Sequence, residues 1–381
     1  MKKFLDCISI VGATPSKFHG TKKYVSTGAV ATTEIDESEV VEVTYEDRPS
    51  RANLSAEAGD ILFAKMQGTR KTLLLDSETE KNIYSTGFYA VRANPEVITT
   101  ECLYYLIDSE LFLAQKDKNC SGATQKAITN GGMAKIEISV PALSEQGILV
   151  DKLKHLTQLI ADKKKQLNLF DEIIKSRFIE MFGDPKLNPQ KWDMVTIGDI
   201  ATDVRYGTSR PATEGGKYPY LRMNNLTYEG YLDLTDLKHI DIPDNEIEKC
   251  VVRNGDVLFN RTNSLELVGK TCVYNLDSDM IIAGYIIRVR IDDRVLPFIL
   301  SSYLNSTVMK EQLRSMAKGA VNQANINAQE LRSIPIYLPP ITLQHEFATF
   351  VEQVDKSKFE IQQSLEKLEI LKKSLMQQYF G

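Results

Sequence analysis

Polar side chains that can form paired hydrogen bonds recur on loop-like segments of this 381-residue chain. Arginine can bind a guanine edge through two hydrogen bonds and asparagine or glutamine an adenine edge, while lysine, serine and threonine bind phosphates. The second half carries Arg205, Tyr206, Thr208, Ser209, Arg210, Lys217, Tyr218, Arg222, Asn224, Asn225, Arg261, Thr262, Asn263 and Ser264. The first half carries Lys22, Lys23, Lys65, Gln67, Thr69, Arg70 and Lys71. These residue types favour nucleic-acid recognition.

Residue patterns that would support catalysis are scarce. The four histidines lie far apart and show no metal-ligand spacing, so we predict neither a catalytic residue nor a metal site. Val268-Gly269-Lys270-Thr271 resembles the end of a phosphate-binding loop, but Ser264 occupies the position of that loop's first glycine. Cys272-Val273-Tyr274 also predicts a strand where the motif requires a helix. A nucleotide-binding enzyme built around Lys270 is therefore the weaker alternative.

Composition indicates an ordinary globular chain, with 43% hydrophobic and 25% charged residues and a formal net charge of −5. The acidic balance is unusual for a nucleic-acid binder. Charge is nevertheless patchy, because residues 205–225 contain four Lys or Arg residues against Glu214 alone. The five cysteines show no paired spacing, which predicts reduced thiols in a cytoplasmic protein. We expect neither a signal peptide nor a membrane helix.

The second half of the sequence repeats the first. Gly59-Asp60-Ile61-Leu62-Phe63 is matched 196 positions later by Gly255-Asp256-Val257-Leu258-Phe259. Phe182-Gly183 is matched 198 positions later by Phe380-Gly381. The repeat predicts two similar α/β domains of nearly equal size. We also expect one shorter helix in each half, near residues 99–115 and 297–314.

Each half ends in a segment with apolar residues spaced alternately by three and four, which is typical of a coiled coil. The first stripe comprises Leu153, Leu156, Ile160, Leu167, Phe170, Ile174 and Met181. The second comprises Val351, Val354, Ile361, Leu365, Leu368, Leu375 and Tyr379. Polar exceptions at Lys163, Arg177, Lys358 and Lys372 favour one chosen pairing register.

The predicted helices are long enough to separate two domains. Some 33 residues at about 1.5 Å each span roughly 50 Å, and one turn of B-DNA is about 34 Å. A rod of this length would hold two readers about one and a half duplex turns apart. The alternative is that the helices dimerise the protein or pack against their own globular domains, and the pattern alone does not choose.

Over essentially its whole length, the chain resembles the specificity subunit of type I restriction–modification systems. The segments that carry the resemblance are Trp192 to Ile200, Tyr206-Gly207-Thr208, Pro219 to Asn225, Gly255 to Arg261, Gly269-Lys270 and the paired helix ends at Phe182-Gly183 and Phe380-Gly381. The first half lacks the Trp-x-x-x-x-Ile-Gly-Asp start of the second. Its recognition domain therefore belongs to a different subtype, and its contact residues are less well defined.

The resemblance implies an α+β architecture with two tandem target-recognition domains, residues 1–141 and 184–339. Two long helices, residues 142–183 and 340–381, would form an antiparallel coiled coil with pseudo-twofold symmetry. It further implies a non-catalytic subunit that binds double-stranded DNA at a bipartite site, together with two methyltransferase subunits and restriction/translocase subunits. The cofactors, S-adenosylmethionine, ATP and Mg²⁺, would belong to those partners and none to this chain. A coiled-coil scaffold that binds no DNA is the remaining alternative.

Overall fold

The computed structural model describes residues 1–320 and 323–381 of the chain. Within them the chain divides into two compact units. Unit 1 contains residues 1–164 and 363–381, and unit 2 contains residues 165–362. Each unit therefore combines one mixed α/β region with one part of each long helix.

The helices and strands follow the repeat in the sequence. The strands of unit 1 are β1 Lys2–Lys3, β2 Ile8–Val11, β3 Lys22–Val25, β4 Val30–Ala31, β5 Glu34–Ile35, β6 Val41–Val43, β7 Ala52–Leu54, β8 Ile61–Ala64, β9 Thr72–Leu74, β10 Ile83–Ser85, β11 Phe88–Ala93 and β12 Glu137–Ile138. Those of unit 2 are β13 Asp193–Thr196, β14 Ala201–Tyr206, β15 Tyr218–Leu221, β16 Lys238–Ile240, β17 Val251–Val252, β18 Val257–Asn260, β19 Thr262–Asn263, β20 Thr271–Val273, β21 Met280–Ile282, β22 Ile286–Ile291, β23 Lys318–Ala320, β24 Gln323–Asn325 and β25 Pro335–Leu338. The helices are α1 Thr100–Ile107, α2 Glu110–Lys118, α3 Asn130–Met133, α4 Leu143–Phe182, α5 Ile197–Ile200, α6 Asp244–Cys250, α7 Pro297–Asn305, α8 Thr307–Met316, α9 Ala328–Arg332 and α10 Ile341–Phe380.

Unit 1 is built on two four-stranded sheets, ordered β2-β11-β8-β9 and β6-β3-β10-β7. In the second sheet β3 and β10 are parallel, and the other pairs are antiparallel. A short ladder of β1 with β12 closes the unit beside the long helix. Unit 2 repeats this plan, with sheets ordered β14-β22-β18-β20 and β16-β15-β21-β17 and a closing ladder of β13 with β25. The parallel pair recurs as β15 and β21.

The shorter helix predicted in each half is in fact two helices. In unit 1, α1 ends before Ser109, whose hydroxyl accepts a hydrogen bond from the Phe112 amide and so caps α2. In unit 2, Ser306 caps α8 in the same way through the Met309 amide. A serine hydroxyl competes with the helical hydrogen bonds of the backbone, and it therefore favours a new N-terminus over a continuous helix. The apolar periodicity continues across the break, so the spacing of apolar residues does not reveal it.

Helices α4 and α10 pair within each unit. In unit 1, Leu149 and Leu153 of α4 share a core with Met376 and Phe380 of α10. In unit 2, the ring centroids of Phe178 and Phe182 each lie 5.5 Å from the ring centroid of Phe347. Within unit 2, Asp171 pairs with Lys358 and Phe178 packs on Phe347. The numbering therefore falls along α10 as it rises along α4, and the helices are antiparallel. Of the predicted stripe residues, Leu153, Leu156, Val351, Val354 and Leu365 are buried and the others are half-buried.

The predicted fold class is confirmed: two repeated α/β regions accompany two long helices. In the described part of the chain, no helix combines the length and the apolar character needed to cross a membrane. Among the same residues, no group of three or more His, Cys, Asp or Glu side chains is arranged to hold a metal ion.

Candidate nucleic-acid interface

The repeated Gly-Asp motif holds a buried strand in place in each unit. Gly255 adopts a φ of 91°, which glycine tolerates and side-chain-bearing residues rarely do. The carboxylate of the next residue, Asp256, is buried and accepts a hydrogen bond from Nε of Arg290 at 2.8 Å. In unit 1, Asp60 accepts from Nε of Arg92 at 2.6 Å. The motif is therefore structural. The hydrogen bonds with Asp60 and Asp256 raise the pKa of Arg92 and Arg290.

Lys65 and Arg261 occupy the same backbone position at the exit of this strand. The Lys65 amide donates to the carbonyl of Gly87, and the Lys65 carbonyl accepts from the Ile128 amide, both at 2.9 Å. The Arg261 amide donates to the carbonyl of Tyr285, and its carbonyl accepts from the Ile326 amide, also at 2.9 Å. The hydrogen-bonded frame is thus repeated, with a cation at the same place in each unit.

Both cations lie against tyrosine rings. Nζ of Lys65 is 4.3 Å from the centroid of Tyr89, and Cζ of Arg261 is 4.9 Å from the centroid of Tyr206. Such contacts restrict the rotamers of the long side chains and leave their charge in place. Burial lowers the pKa of Lys65. Nε of Arg261 has no hydrogen-bond partner among the described residues. Nζ of Lys65 donates to the carbonyl of Thr86 at 2.9 Å, and Nη1 of Arg261 donates to that of Gly284 at 3.4 Å. The strand exit of each unit therefore holds a positioned cation.

In unit 2, other predicted residues gather around Arg261. The amide of Gly284 donates to the carbonyl of Thr208 at 2.7 Å, which joins the 206–208 segment to the hairpin that carries Tyr285. Tyr206 and Tyr285 are exposed by 42% and 49%. An exposed tyrosine ring against a guanidinium, with a second exposed tyrosine joined to the same arginine through its backbone carbonyl, makes a surface suited to bases and phosphates.

Arg210 and Arg222 already have acidic partners. Arg210 forms a two-point pair with Glu246, at 3.1 and 2.7 Å, and this raises the pKa of Arg210. Nη2 of Arg222 donates to Asp236 at 2.7 Å. Because exposed pairs of this kind are worth little in free energy, they can be exchanged for phosphate contacts at small cost.

Two predicted contact residues are inside the domain. Asn225 is 2% exposed, and its amide accepts from the Arg222 backbone and donates to the carbonyl of Asp233. Thr262 is 6% exposed, and its hydroxyl donates to Oδ1 of Asn325 at 2.9 Å. Both side chains organise loops and cannot reach a base edge in this conformation, because their polar atoms are occupied internally. We therefore leave them out of the interface.

The remaining predicted residues of unit 2 are placed as follows. Arg205, Ser209, Lys217 and Asn224 are exposed, while Thr208, Tyr218, Asn263 and Ser264 are half-buried. Nζ of Lys217 is 4.9 Å from the Tyr218 ring. The amide of Asn263 donates to Oδ1 of the buried Asn260. Tyr218 begins strand β15, Lys217 directly precedes this strand and Asn224 lies in the turn after it, whereas the Arg261 cluster lies at the exit of strand β18.

In unit 1, several predicted residues are used by the fold. Arg70 pairs with the buried Asp108 through two hydrogen bonds of 3.0 Å. Lys71 donates to the carbonyl of Thr27, and Gln67 donates to that of Asp117. Lys22 and Lys23 are exposed on strand β3, and Thr69 is half-buried. Among the predicted residues at this strand exit in unit 1, Lys65 is therefore the one whose position corresponds to that of Arg261 in unit 2.

The geometry around Lys270 excludes the phosphate-binding loop. Lys270 is 7% exposed and its ammonium donates to the carbonyl of Met223 at 2.7 Å. Thr271 begins strand β20, where the motif needs a helix N-terminus to bind phosphate. The hydroxyl of Thr271 donates to the carbonyl of Gly269 and is buried. This site holds a loop against a sheet.

The sequence analysis included Tyr206 and Tyr218 but missed Tyr89 and Tyr285. Tyr285 and Tyr89 follow glycines, Gly284 and Gly87, at hairpins before long sheet strands. A glycine followed within two residues by tyrosine in both halves was the available signal. Neither tyrosine lies within a run of charged and amide side chains, which is the pattern that marked the other candidates.

Comparison with protein families gives one match that spans most of the chain. The family model described as the type I restriction modification DNA specificity domain matches residues 10–169 and residues 189–372. Two matched regions agree with the two repeated units.

Among curated proteins, the chain is similar to the type I restriction enzyme EcoKI specificity subunit of Escherichia coli K12. The identity is 24% over 285 residues, which is 70% of this chain and 61% of that protein. It is also similar to the putative type I restriction enzyme MjaX specificity subunit of Methanocaldococcus jannaschii, at 29% identity over 50% of this chain and 46% of that protein. The matched regions thus span less than two thirds of either relative.

Two solved structures share the fold. One, described as the structural basis underlying complex assembly and conformational transition of the type I R-M system, matches with a TM-score of 0.58 and 22% identity, covering 98% of this chain and 97% of that one. The other is the type I restriction–modification S subunit from M. genitalium, with a TM-score of 0.52 and 13% identity over 99% of this chain and 94% of that one. At these identities the likeness concerns the fold alone.

Proposed function

Because the chain belongs to the type I restriction–modification DNA specificity family, we propose that it is the subunit that reads a bipartite, gapped DNA sequence for a type I complex. Residues 1–141 form one recognition domain and residues 184–339 the other. Residues 142–183 and 340–381 form the helices that carry them. The specificity subunits of this family are non-catalytic, so all bond-making belongs to partner subunits.

The observation that carries the proposal is the repeated cation at the strand exit. Lys65 and Arg261 have the same backbone hydrogen-bonding frame, and each contacts a tyrosine ring, that of Tyr89 on β11 and that of Tyr206 on β14. A duplicated position of this kind suits two readers that bind two halves of one site. Arginine at this position can bind a guanine by two hydrogen bonds, whereas lysine offers a point charge. The two units therefore read different half-sites.

The exposed cations of each unit bind the DNA backbone. Lys22 and Lys23 serve unit 1, and Arg205, Arg210 and Lys217 serve unit 2. Contacts with phosphates release counterions, so affinity falls steeply with salt. This local charge reconciles DNA binding with a formal net charge of −5 over the whole chain.

Two methyltransferase subunits and the restriction/translocase subunits are the protein partners. The partners supply S-adenosylmethionine, ATP and Mg²⁺, and a methyltransferase flips the target adenine out of the duplex. Apolar side chains on α4 provide a docking surface in unit 2, since Leu169 and Ile173 are 50% and 45% exposed. Residues four apart lie on one face of a helix, and exposed apolar patches mark interaction sites.

The test is selection of DNA by the assembled methyltransferase from a pool of random duplexes. We expect enrichment of one gapped sequence with two short defined halves. Exchange of residues 184–339 for the same segment of another such subunit then changes one half and leaves the other intact. A DNA-independent scaffold would enrich no sequence, and a chimera that changes both halves would refute independent reading by the two domains.

A further inference from the structure

Unit 2 contains a cavity of about 250 Å³ beside its long helices. Ile174 and Phe178 of α4 and Val351 of α10 form an apolar wall. The opposite wall contains Asn305 at the end of α7. A cavity of this size accommodates a small organic molecule, and apolar walls with a few polar groups are typical of ligand sites.

Unit 1 contains a cavity of about 490 Å³ at the position that corresponds by the internal repeat. Residues 369–377 of α10 line it, and they lie 198 positions after residues 171–179, which line the unit 2 cavity. Asp108 and Ser109 line the unit 1 cavity, and Asn305 and Ser306 line the unit 2 cavity at the corresponding positions. The repeat of the cavity shows that it is a feature of the shared architecture, so the linings of the two can be compared position by position.

The carboxylates that line the unit 1 cavity form ion pairs with cationic side chains. Asp108 accepts two hydrogen bonds from Arg70, both at 3.0 Å. Glu369 pairs with Lys164 at 3.0 Å, and Glu110 pairs with Lys373 at 2.9 Å. Each carboxylate on this lining therefore has a cation from the same unit.

The unit 2 cavity lacks the matching guanidinium. The Ala64 amide donates to the Lys71 carbonyl, and the Asn260 amide donates to the Lys270 carbonyl, so Lys71 and Lys270 correspond. The residue before Lys71 is Arg70, whereas the residue before Lys270 is Gly269. Unit 2 consequently has no cationic side chain at this position.

The consequence of the missing guanidinium is seen at Asn305. Its Nδ2 donates to the carbonyl of Thr271 at 2.6 Å. Its Oδ1 is buried and has no partner among the described residues. An unpartnered buried acceptor is costly and marks a place where a donor is missing.

A carboxylate on the same lining also lacks a donor. Asp355 lies on α10 and is half-buried, and the described residues provide it with no hydrogen bond. Burial is the main reason that its pKa is raised, while the charge of Lys358 acts in the opposite direction. The neighbouring Asp171 accepts a hydrogen bond of 2.6 Å from the ammonium of Lys358. Lys175, the lysine on the lining, pairs with Glu172. The unmet hydrogen-bonding capacity of the cavity is therefore on the acceptor side.

We propose that the unit 2 cavity binds a small organic cation, an amidinium, guanidinium or ammonium group on an apolar body. Its N–H donors satisfy Asn305 and Asp355, in the role that Arg70 plays for Asp108 in unit 1. Its apolar body packs against Ile174, Phe178 and Val351. This site is separate from the strand exit at Arg261, and the inference does not depend on the proposed function.

The test uses benzamidine as the probe, with calorimetric titration of the full-length chain. Benzamide, which has the same shape and no charge, is the matched control ligand. We expect benzamidine to bind at least tenfold more tightly than benzamide. The inference is overturned if the two bind equally or if benzamidine does not bind.

Amino-acid substitutions then test which residues bind the cation. Asp355→Asn should weaken benzamidine binding at least tenfold, whereas Glu352→Gln, an exposed acid three residues away on the same helix, should leave it unchanged. Circular dichroism and the melting temperature check that each variant is folded. Unchanged affinity in Asp355→Asn contradicts the placement.

The same chemistry can come from a free molecule or from an arginine side chain of a partner chain. Saturating benzamidine during assembly with the methyltransferase subunit distinguishes the two sources. Weaker assembly identifies the partner's side chain as the occupant, and unchanged assembly identifies a free cation. The comparison of benzamidine with benzamide on the isolated chain decides the inference itself in either case.

Discussion

Nζ of Lys358 on α10 lies 2.6 Å from Oδ1 of Asp171 on α4, in a seam that is otherwise apolar over most of its length. Both side chains are largely buried, with exposures of 17% and 15%. The ammonium also lies 3.7 Å from the centroid of the Tyr231 ring, which belongs to the α/β region of unit 2. One cation therefore joins both helices and the domain that they carry. A polar pair in a seam fixes register, since any slip would leave a charge buried alone.

Replacement of Lys358 by methionine should destabilise the protein by about 3 kcal/mol, because Asp171 is left buried without its cation and close to Asp355. Urea unfolding followed by circular dichroism measures the loss. The double variant Lys358→Met, Asp171→Leu should recover most of it, since no uncompensated charge remains. Lys356→Met, an exposed lysine on the same helix, is the control. A loss below about 1 kcal/mol in Lys358→Met alone would show that the pair contributes little.

Removal of either strand-exit cation should affect one half of the DNA site. Arg261→Ala should weaken specific binding about tenfold, as expected for the loss of about 1–3 kcal/mol from a bidentate base contact. Sequence selection by the assembled methyltransferase should then relax in one half only. Arg253→Ala is the control, because Arg253 pairs with Glu248 and Asp279 instead.

Lys65→Ala should relax the other half-site, with Lys81→Ala as its control in unit 1, since Lys81 pairs with Glu78. If lysine acts through a phosphate, the slope of log affinity against log salt should also fall by about one. Selection experiments and a salt titration measure the two effects. Relaxation of the same half-site by Lys65→Ala and Arg261→Ala would contradict the proposal that the units read separately.

Lys310 should make stability depend on pH above neutrality. Burial, together with Lys270 and Arg314, lowers the pKa of Lys310 to about 7, and the side chain is 4% exposed. The unfolded chain, with an ordinary lysine pKa, binds more protons than the folded chain between about pH 7 and 10.5. Stability contributed by this group therefore rises with pH across that window.

Melting temperatures of the wild type and Lys310→Met test this. The variant should be the more stable protein at pH 7, and the difference between the two should shrink as the pH approaches 10. Lys367→Met, an exposed lysine on α10, should show no such trend. A difference that is constant across the window would show that Lys310 does not change its ionisation on folding.

The exposed face of α4 should be needed for assembly and dispensable for folding. Ile173→Lys should weaken binding of the methyltransferase subunit at least tenfold, because a central apolar contact is replaced by a charge. The melting temperature should stay within about 2 °C of the wild type, since Ile173 is 45% exposed. Leu187→Lys, at a residue that is 75% exposed outside the helices, is the control in a pull-down titration. Equal binding by both variants would remove α4 as the docking surface.

Repeats and periodicity made much of the architecture predictable. The helix stripes follow from local spacing, and the structure places long helices over residues 143–182 and 341–380. The recurrence of Gly-Asp before an apolar run marked two equivalent buried strands. The helix break at Ser109 and Ser306 was not predicted, because a serine cap changes the backbone without changing the apolar pattern.

By itself the sequence determined the duplication, the fold class and the absence of a recognisable catalytic motif, since these depend on residue type and spacing along the chain. Only the tertiary structure decided which polar residues remain available. Asn225 and Thr262 are enclosed, Arg70 is paired with Asp108, and Lys65 and Arg261 stand at the same place in two equivalent frames. It also decided that Asn305 lacks the partner that Asp108 has. The physical reason is that a side chain's hydrogen bonds and burial are set by residues distant in sequence, which no local pattern specifies.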